Sequence, residues 1–251
     1  MTQLHSSPYW ARRSWLSRVL GWGILVLILQ LQGCASVPNP DRRDPIESFN
    51  RGMFDFNDAV DRGVLKPVAI AYKGITPQWM RTGVGNFFNN LEDVWSIVNN
   101  GLQLRGRDTA DSVGRVIVNS TIGLVGLIDV ASELNIERHT SDFALTLGRW
   151  GVGSGPYLVL PLLGPSTLRG VAALPLDIRG NLVNQVTDDP TRYGLIALDV
   201  VDTRAQYLRA GDVVEGAALD KYSFTRDAYL QRLRNRVYDG NPPEEEGEPE
   251  P

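Results

Sequence analysis

Asp44-Pro45-Ile46-Glu47-Ser48-Phe49-Asn50-Arg51-Gly52-Met53-Phe54-Asp55-Phe56-Asn57-Asp58-Ala59-Val60-Asp61 begins like a helix. Asp44 reads as its N-cap, Pro45 as its first residue and Glu47 as the acid that closes a capping box. Ile46, Phe49, Met53, Phe56 and Val60 recur at intervals of three or four, and Glu47, Arg51, Asp55 and Asp58 hold the other face. That period belongs to an amphipathic helix over 45–61 and not to a strand.

The same period continues downstream. Pro67 and Pro77 read as helix starts, the second leading into Trp79, Met80, Val84, Phe87, Phe88, Leu91, Val94, Trp95 and Val98. Further helices are expected at 108–121, 141–149, 191–209 and 222–238, each with an apolar stripe behind Asp, Ser, Thr or Pro. Period-2 alternation is nearly absent and no internal repeat is visible, so the expected fold class is all-α. The helical domain runs over 44–239. After it, at 240–251, four prolines alternate with five glutamates, an acidic tail too polar to fold.

Upstream, residues 1–33 hold no acid and three cations, Arg12, Arg13 and Arg18, ahead of the apolar run Val19 to Leu29. This is a signal peptide pattern, and the run is shorter than the roughly 20 residues that a membrane-crossing helix needs. Leu31-Gln32-Gly33-Cys34 has the order of a bacterial lipoprotein cleavage site, with the only cysteine of the chain where diacylglycerol would be attached. Residues 34–43 then form a polar tether, and Ala35 is not the Asp that retains many lipoproteins at the inner membrane. The expected address is the periplasmic face of an outer membrane, with anchoring by acyl chains.

Charge and composition exclude several functions. The 251 residues carry a net charge of -4, and removal of 1–33 makes it -7, the wrong sign for a nucleic-acid binder. One Cys and two His cannot build a Cys/His zinc cluster, so any metal would need carboxylates. His139 is the one histidine outside the signal peptide. Val152 stands where G-x-S-x-G around Ser154 requires glycine, and none of Lys66, Lys73 and Lys221 follows a phosphate loop. The adjacent acids Glu92/Asp93 and Asp188/Asp189 point to different helix faces and are expected to be solvated. No enzyme, no cofactor and no metal site is expected.

Two stretches break the amphipathic pattern. Val116 to Ile128 carries no charge, and neither do the 19 residues from Trp150 to Leu168. The second is long enough to span a bilayer, but Gly151, Gly153, Gly155, Pro156, Pro161, Gly164 and Pro165 forbid a continuous helix. Either it is a buried core loop or it is an apolar hairpin lying against lipid, with its backbone groups paired by the rest of the protein.

These segments resemble the MlaA (VacJ) family of outer-membrane lipoproteins. The resemblance rests on Asp44 to Asn57, Val64 to Ala69, Asn86 to Leu91, Asn119 to Gly123, Gly126 to Ala131, Leu147-Gly148 with Trp150 to Pro161, Gly164 to Arg169, Asp202 to Ala205 and Tyr222 to Arg232. It covers nearly everything from Asp44 to Arg232, with small departures at Ala144, Leu145 and Gly170. The resemblance implies a ring of helices in the inner leaflet of the outer membrane, around a channel that takes phospholipids back from the outer leaflet. It also implies an outer-membrane porin trimer and a soluble MlaC-like periplasmic lipid carrier as partners. By the same resemblance a gating hairpin comprises Gly151, Gly153, Gly155, Pro156, Tyr157, Leu158, Leu160, Pro161 and Gly164. Its glycines would be hinges, while Phe49, Phe56, Phe87 and Phe88 would build the apolar packing of the ring. The competing readings are a structural lipoprotein that scaffolds a porin complex without moving lipid, and a periplasmic hydrolase.

Overall fold

The computed structural model describes residues 41–243; the signal peptide, Cys34 and most of the tether and of the acidic tail lie outside them. The first helix, α1 (Glu47–Val60), runs through a π turn (Asp61–Leu65) into α2 (Lys66–Ile75) without a break. The π turn lets Asp61 accept two hydrogen bonds from Arg204. Then follow α3 (Gln78–Leu102), α4 (Gly106–Thr121), α5 (Val130–Glu133) and α6 (Phe143–Arg149). A β-hairpin, β1 (Tyr157–Leu160) and β2 (Gly164–Thr167), interrupts the helices before α7 (Leu168–Gly180), a 3-10 turn (Leu182–Gln185), α8 (Asp189–Gln206), α9 (Leu208–Ala217) and α10 (Lys221–Val237).

Most expected helices are present within a few residues. The segment expected as one helix over 191–209 divides at Tyr207 into α8 and α9, and α7 forms despite the internal Pro175. Asp142, Asp188 and Asp220 cap α6, α8 and α10 through the backbone N–H groups of Leu145, Thr191 and Tyr222. Asp44 is a correction: α1 begins at Glu47 with no side-chain cap, and Asp44 is instead buried as an acceptor for other side chains.

The contacts between elements close on themselves. The circuit runs α1, π turn, α2, α8, α3, α6, α10, β2, β1 and back to α1. Polar groups are prominent in its packing: α3 buries Asn90, Asp93, Ser96, Asn99 and Asn100 and leaves Trp79 72% exposed. Among the described residues, buried polar and charged side chains outnumber buried apolar ones. Phe49 and Phe56 are also exposed, the latter 48%, so they do not form buried packing; Phe88 is buried and meets Phe87 edge to face. Asp93, expected to be solvated, is buried, and so is Glu47 of the polar face of α1. Asp93 accepts from both Arg115 and Arg138, and Arg115 forks onto Asp129.

Candidate functional site

The hairpin singled out in the sequence is where α1, α7, α10 and the N-terminal segment meet. Its strands are antiparallel, with Tyr157 opposite Thr167 and Leu160 opposite Gly164. Neither strand showed period-2 alternation in sequence, because Tyr157-Leu158-Val159-Leu160 is apolar on both faces. In the fold the burial does alternate: Tyr157 and Val159 are buried and Leu158 and Leu160 partly so.

The outer edge of β1 is paired by a helix. Asn50 donates through Nδ2 to the Tyr157 carbonyl at 3.0 Å and accepts from the Val159 N–H at 2.9 Å. Seven residues on, Asn57 donates to the Leu160 carbonyl at 2.9 Å and accepts from the Leu162 N–H at 2.8 Å. Seven helical residues rise about 10.5 Å, and three strand residues advance about 10 Å, so the two side-chain amides keep register with the strand edge. The Tyr157 N–H, on the same edge, donates to the carbonyl of Arg43. Both asparagines stood in plain view in the sequence as polar positions of α1. An i, i+7 pair facing a strand carries no signal until the partner is known.

Below the strand, Asn50 Nδ2 also reaches Asp44 Oδ1 at 2.7 Å. The other Asp44 oxygen accepts from the Tyr222 hydroxyl and, at 3.4 Å, from Arg226. Tyr157 and Tyr222 pack edge to face with ring centroids 6.2 Å apart, and Tyr229 stands 6.1 Å from Tyr157 on the other side. Burial, together with the bond to Asp44, pushes the Tyr222 phenol well above its ordinary range. Arg51 ties α1 to α10 through Asp220 at 2.7 Å and lies over the Tyr222 ring. Tyr157 is thus an anchor of the hairpin base.

The other expected hairpin residues sit differently. Gly151, Gly153, Gly155, Pro156 and Pro161 are exposed, and Leu162 at the tip is 68% exposed. Gly151 (φ +89°), Gly155 (φ +65°) and Gly164 (φ +78°) occupy the left-handed region that glycine tolerates, whereas Gly153 does not. The hairpin therefore joins a fixed base to an open glycine loop and an exposed tip.

The other uncharged stretch forms the connection after α4. Leu124, Val125 and Gly126 all have positive φ, and Ile122, Leu124, Val125, Leu127 and Ile128 are exposed. Again asparagines hold the backbone: Asn86 donates to the Leu127 carbonyl, and Asn119 accepts from the Ala131 N–H while bonding Asp129. Burial raises the Asp129 pKa, but hydrogen bonds from Ser132, Asn119 and Arg115 outweigh it and hold the carboxyl at about 2.

His139 is half-buried beside Asp111 at 3.3 Å and Asp108 at 3.8 Å. Among the described residues no group of three or more His, Cys, Asp or Glu is arranged to hold a metal ion, and no helix is long and apolar enough to cross a membrane.

Comparison with known proteins agrees with this geometry. The intermembrane phospholipid transport system lipoprotein MlaA of Escherichia coli K12 is 36% identical over 208 residues, spanning 80% of this chain and 82% of that protein. The protein of the same name from Haemophilus influenzae is 32% identical over 225 residues, spanning 86% and 89%. An uncharacterized protein of Rickettsia bellii is 35% identical over 202 residues, spanning 80% and 77%. A solved structure reported as the structural basis for maintenance of bacterial outer membrane lipid asymmetry superposes with a TM-score of 0.69 at 35% identity, covering 80% of this chain and all of that one. Residues 42–236 match the model of the MlaA lipoprotein family, and the chain belongs to that family.

Proposed function

We propose that this chain is a lipid-anchored outer-membrane protein that takes mislocalised phospholipids from the outer leaflet and passes them to a soluble periplasmic carrier, keeping the two leaflets different. The observation that carries this reading is the distribution of polarity: a closed circuit of helices that buries more polar and charged side chains than apolar ones while leaving many phenylalanine, tryptophan and aliphatic side chains exposed. In water such a surface would cost free energy at every exposed apolar group; in a lipid leaflet it is the surface that the solvent wants. The family and the relatives that carry a phospholipid-transport name support the same reading.

The physical need is large. Drawing a two-chain lipid into water exposes roughly 30 methylenes at about 0.8 kcal/mol each, a barrier of about 24 kcal/mol. Escape over it takes on the order of a day. A polar-lined passage for the headgroup, with the acyl chains kept against apolar walls, removes most of that exposure without covalent chemistry. The protein is then a conduit and not an enzyme. The clamp on β1 confines any gating motion of the hairpin to the glycine loop before it and the tip beyond Leu160. A porin trimer beside the ring is the expected neighbour.

The test is the outer-leaflet phospholipid content of cells that lack the protein, complemented with the wild type or with Cys34→Ala. Accumulation that only the lipidated form reverses is the expected result. An unchanged outer leaflet in the deletion strain overturns the transport reading and leaves a scaffolding lipoprotein.

A further inference from the structure

Arg169 is a buried cation with no carboxylate in salt-bridge range among the described residues. It is 7% exposed at the start of α7; Nη1 donates to the Val152 carbonyl at 2.7 Å and Nε has no partner. Its guanidinium lies against Gly148, where a Cβ would stand 2.8 Å from Nη1 and 2.9 Å from Cζ, so glycine makes room for it. Burial lowers its pKa, and the facing acid and phenols of Asp142, Tyr229 and Tyr238 act from beyond ion-pair range. A guanidinium held this way is short of one anion.

The cavity beside it supplies the space. About 780 Å³ opens between the glycine loop 151–155, the N-terminal segment and α10. Arg42, Arg43, Arg169 and Arg234 line it against one carboxylate, Asp227; Arg43 is already paired with Asp41 and Asp227, so the cationic excess rests on Arg42 and Arg169, in a chain that carries -7 after the signal peptide. The rest of its wall mixes Leu230, Leu233 and Val237 with Ser154, Gln231, Asn235 and Tyr238. Planar guanidinium forks suit phosphate oxygens, and the volume is that of a small-ligand site.

We propose that this cavity is a phosphate-recognition site, with Arg169 as its floor and Arg42 at its rim, for a phosphomonoester or phosphodiester such as a phospholipid headgroup. The site gives the transport reading a headgroup contact and rests on that reading only for the source of the phosphate. Because the loop it touches is the glycine segment that leads into the hairpin, occupancy fixes Val152 against α7.

Calorimetric titration of the full-length lipoprotein in uncharged detergent, with inorganic phosphate, with glycerol 3-phosphate and with dioleoylphosphatidylglycerol in mixed micelles, tests it. Saturable binding, weakened about tenfold or more by Arg169→Lys and by Arg42→Gln at unchanged near-UV circular dichroism, is the expected result. Preference for the micellar lipid assigns the site to headgroups; preference for the soluble phosphates upholds the site and detaches it from lipid. Should Arg169→Lys fail to fold, the rim variant decides. No saturable binding of any probe, or binding that both substitutions leave unchanged, overturns the proposal. The leaflet assay in cells can fail while this binding stands, and the reverse, so the two readings are separable.

Discussion

The two uncharged stretches, Val116 to Ile128 and Trp150 to Leu168, look alike in sequence and meet opposite fates. The first turns its side chains outward, with Val125 66% exposed in the left-handed region; the second buries Tyr157 and Val159 completely. Both depend on asparagines of neighbouring helices to satisfy part of the backbone, Asn86 at the Leu127 carbonyl in one case and Asn50 and Asn57 in the other, while Asn119 within the first stretch accepts from the Ala131 N–H just beyond it. The amide side chain takes the place that water fills in an ordinary loop, so the backbone of an apolar segment is paired in the same way whether its side chains are exposed or buried.

The largest expected effect separates the two asparagines of α1. Asn50→Ala leaves a buried carbonyl and a buried N–H unpaired and removes a donor to Asp44, a loss of about 3 kcal/mol in chemical denaturation. Asn57→Ala, whose partners lie at the exposed tip, costs about 1 kcal/mol because water replaces the amide. Equal losses would mean that base and tip are clamped alike.

Acid acts on both stretches. The Arg43 guanidinium bonded to Asp41 holds its carboxyl at about 2, and that segment supplies the carbonyl for Tyr157; Asp129, also at about 2, supports the other stretch. Both pKa values are depressed below the ordinary 3.8, so their stabilisation is complete above pH 4 to 5 and lost as pH falls through about 2. Urea midpoints should fall between pH 4 and pH 2, and less steeply in Asp41→Asn and Asp129→Asn. Hydrogen exchange that loosens one stretch well before the other would break the parallel.

Two glycine exchanges give smaller effects. Val125→Gly relieves a β-branched residue at φ +61° and should stabilise the fold by about 1 kcal/mol in the same denaturation series. Gly153→Ala meets open space at an ordinary φ and should change stability by no more than a few tenths of a kcal/mol. If loop flexibility serves gating, this variant still raises outer-leaflet phospholipid in cells; if it leaves the leaflet unchanged, that glycine is no hinge.

How much of this the sequence disclosed follows from what periodicity encodes. A period of 3.6 at Ile46, Phe49, Met53, Phe56 and Val60 gives a helix and a stripe but not which neighbours either face meets in the fold. Phe56 therefore came out exposed and Glu47 buried. Tyr157 to Leu160 hid a strand because both of its faces are apolar. The internal Pro175 concealed α7, whose tertiary packing overrides the helix-breaking preference, down to Trp95 seated on Gly180. Arg169 was quoted within a motif, yet its missing carboxylate is a property of three dimensions only.

The circuit of contacts also has a calendar. Asn50 bonds a residue 107 positions later, and Asp44 one 182 positions later. A chain that emerges N-terminus first therefore presents α1 early and completes its surroundings only when α10 arrives. For most of its synthesis and export the first helix has neither its strand nor Asp220, and Asp44 lacks Tyr222 and Arg226, so something else must keep the apolar stripe from aggregating until the last helix closes the loop.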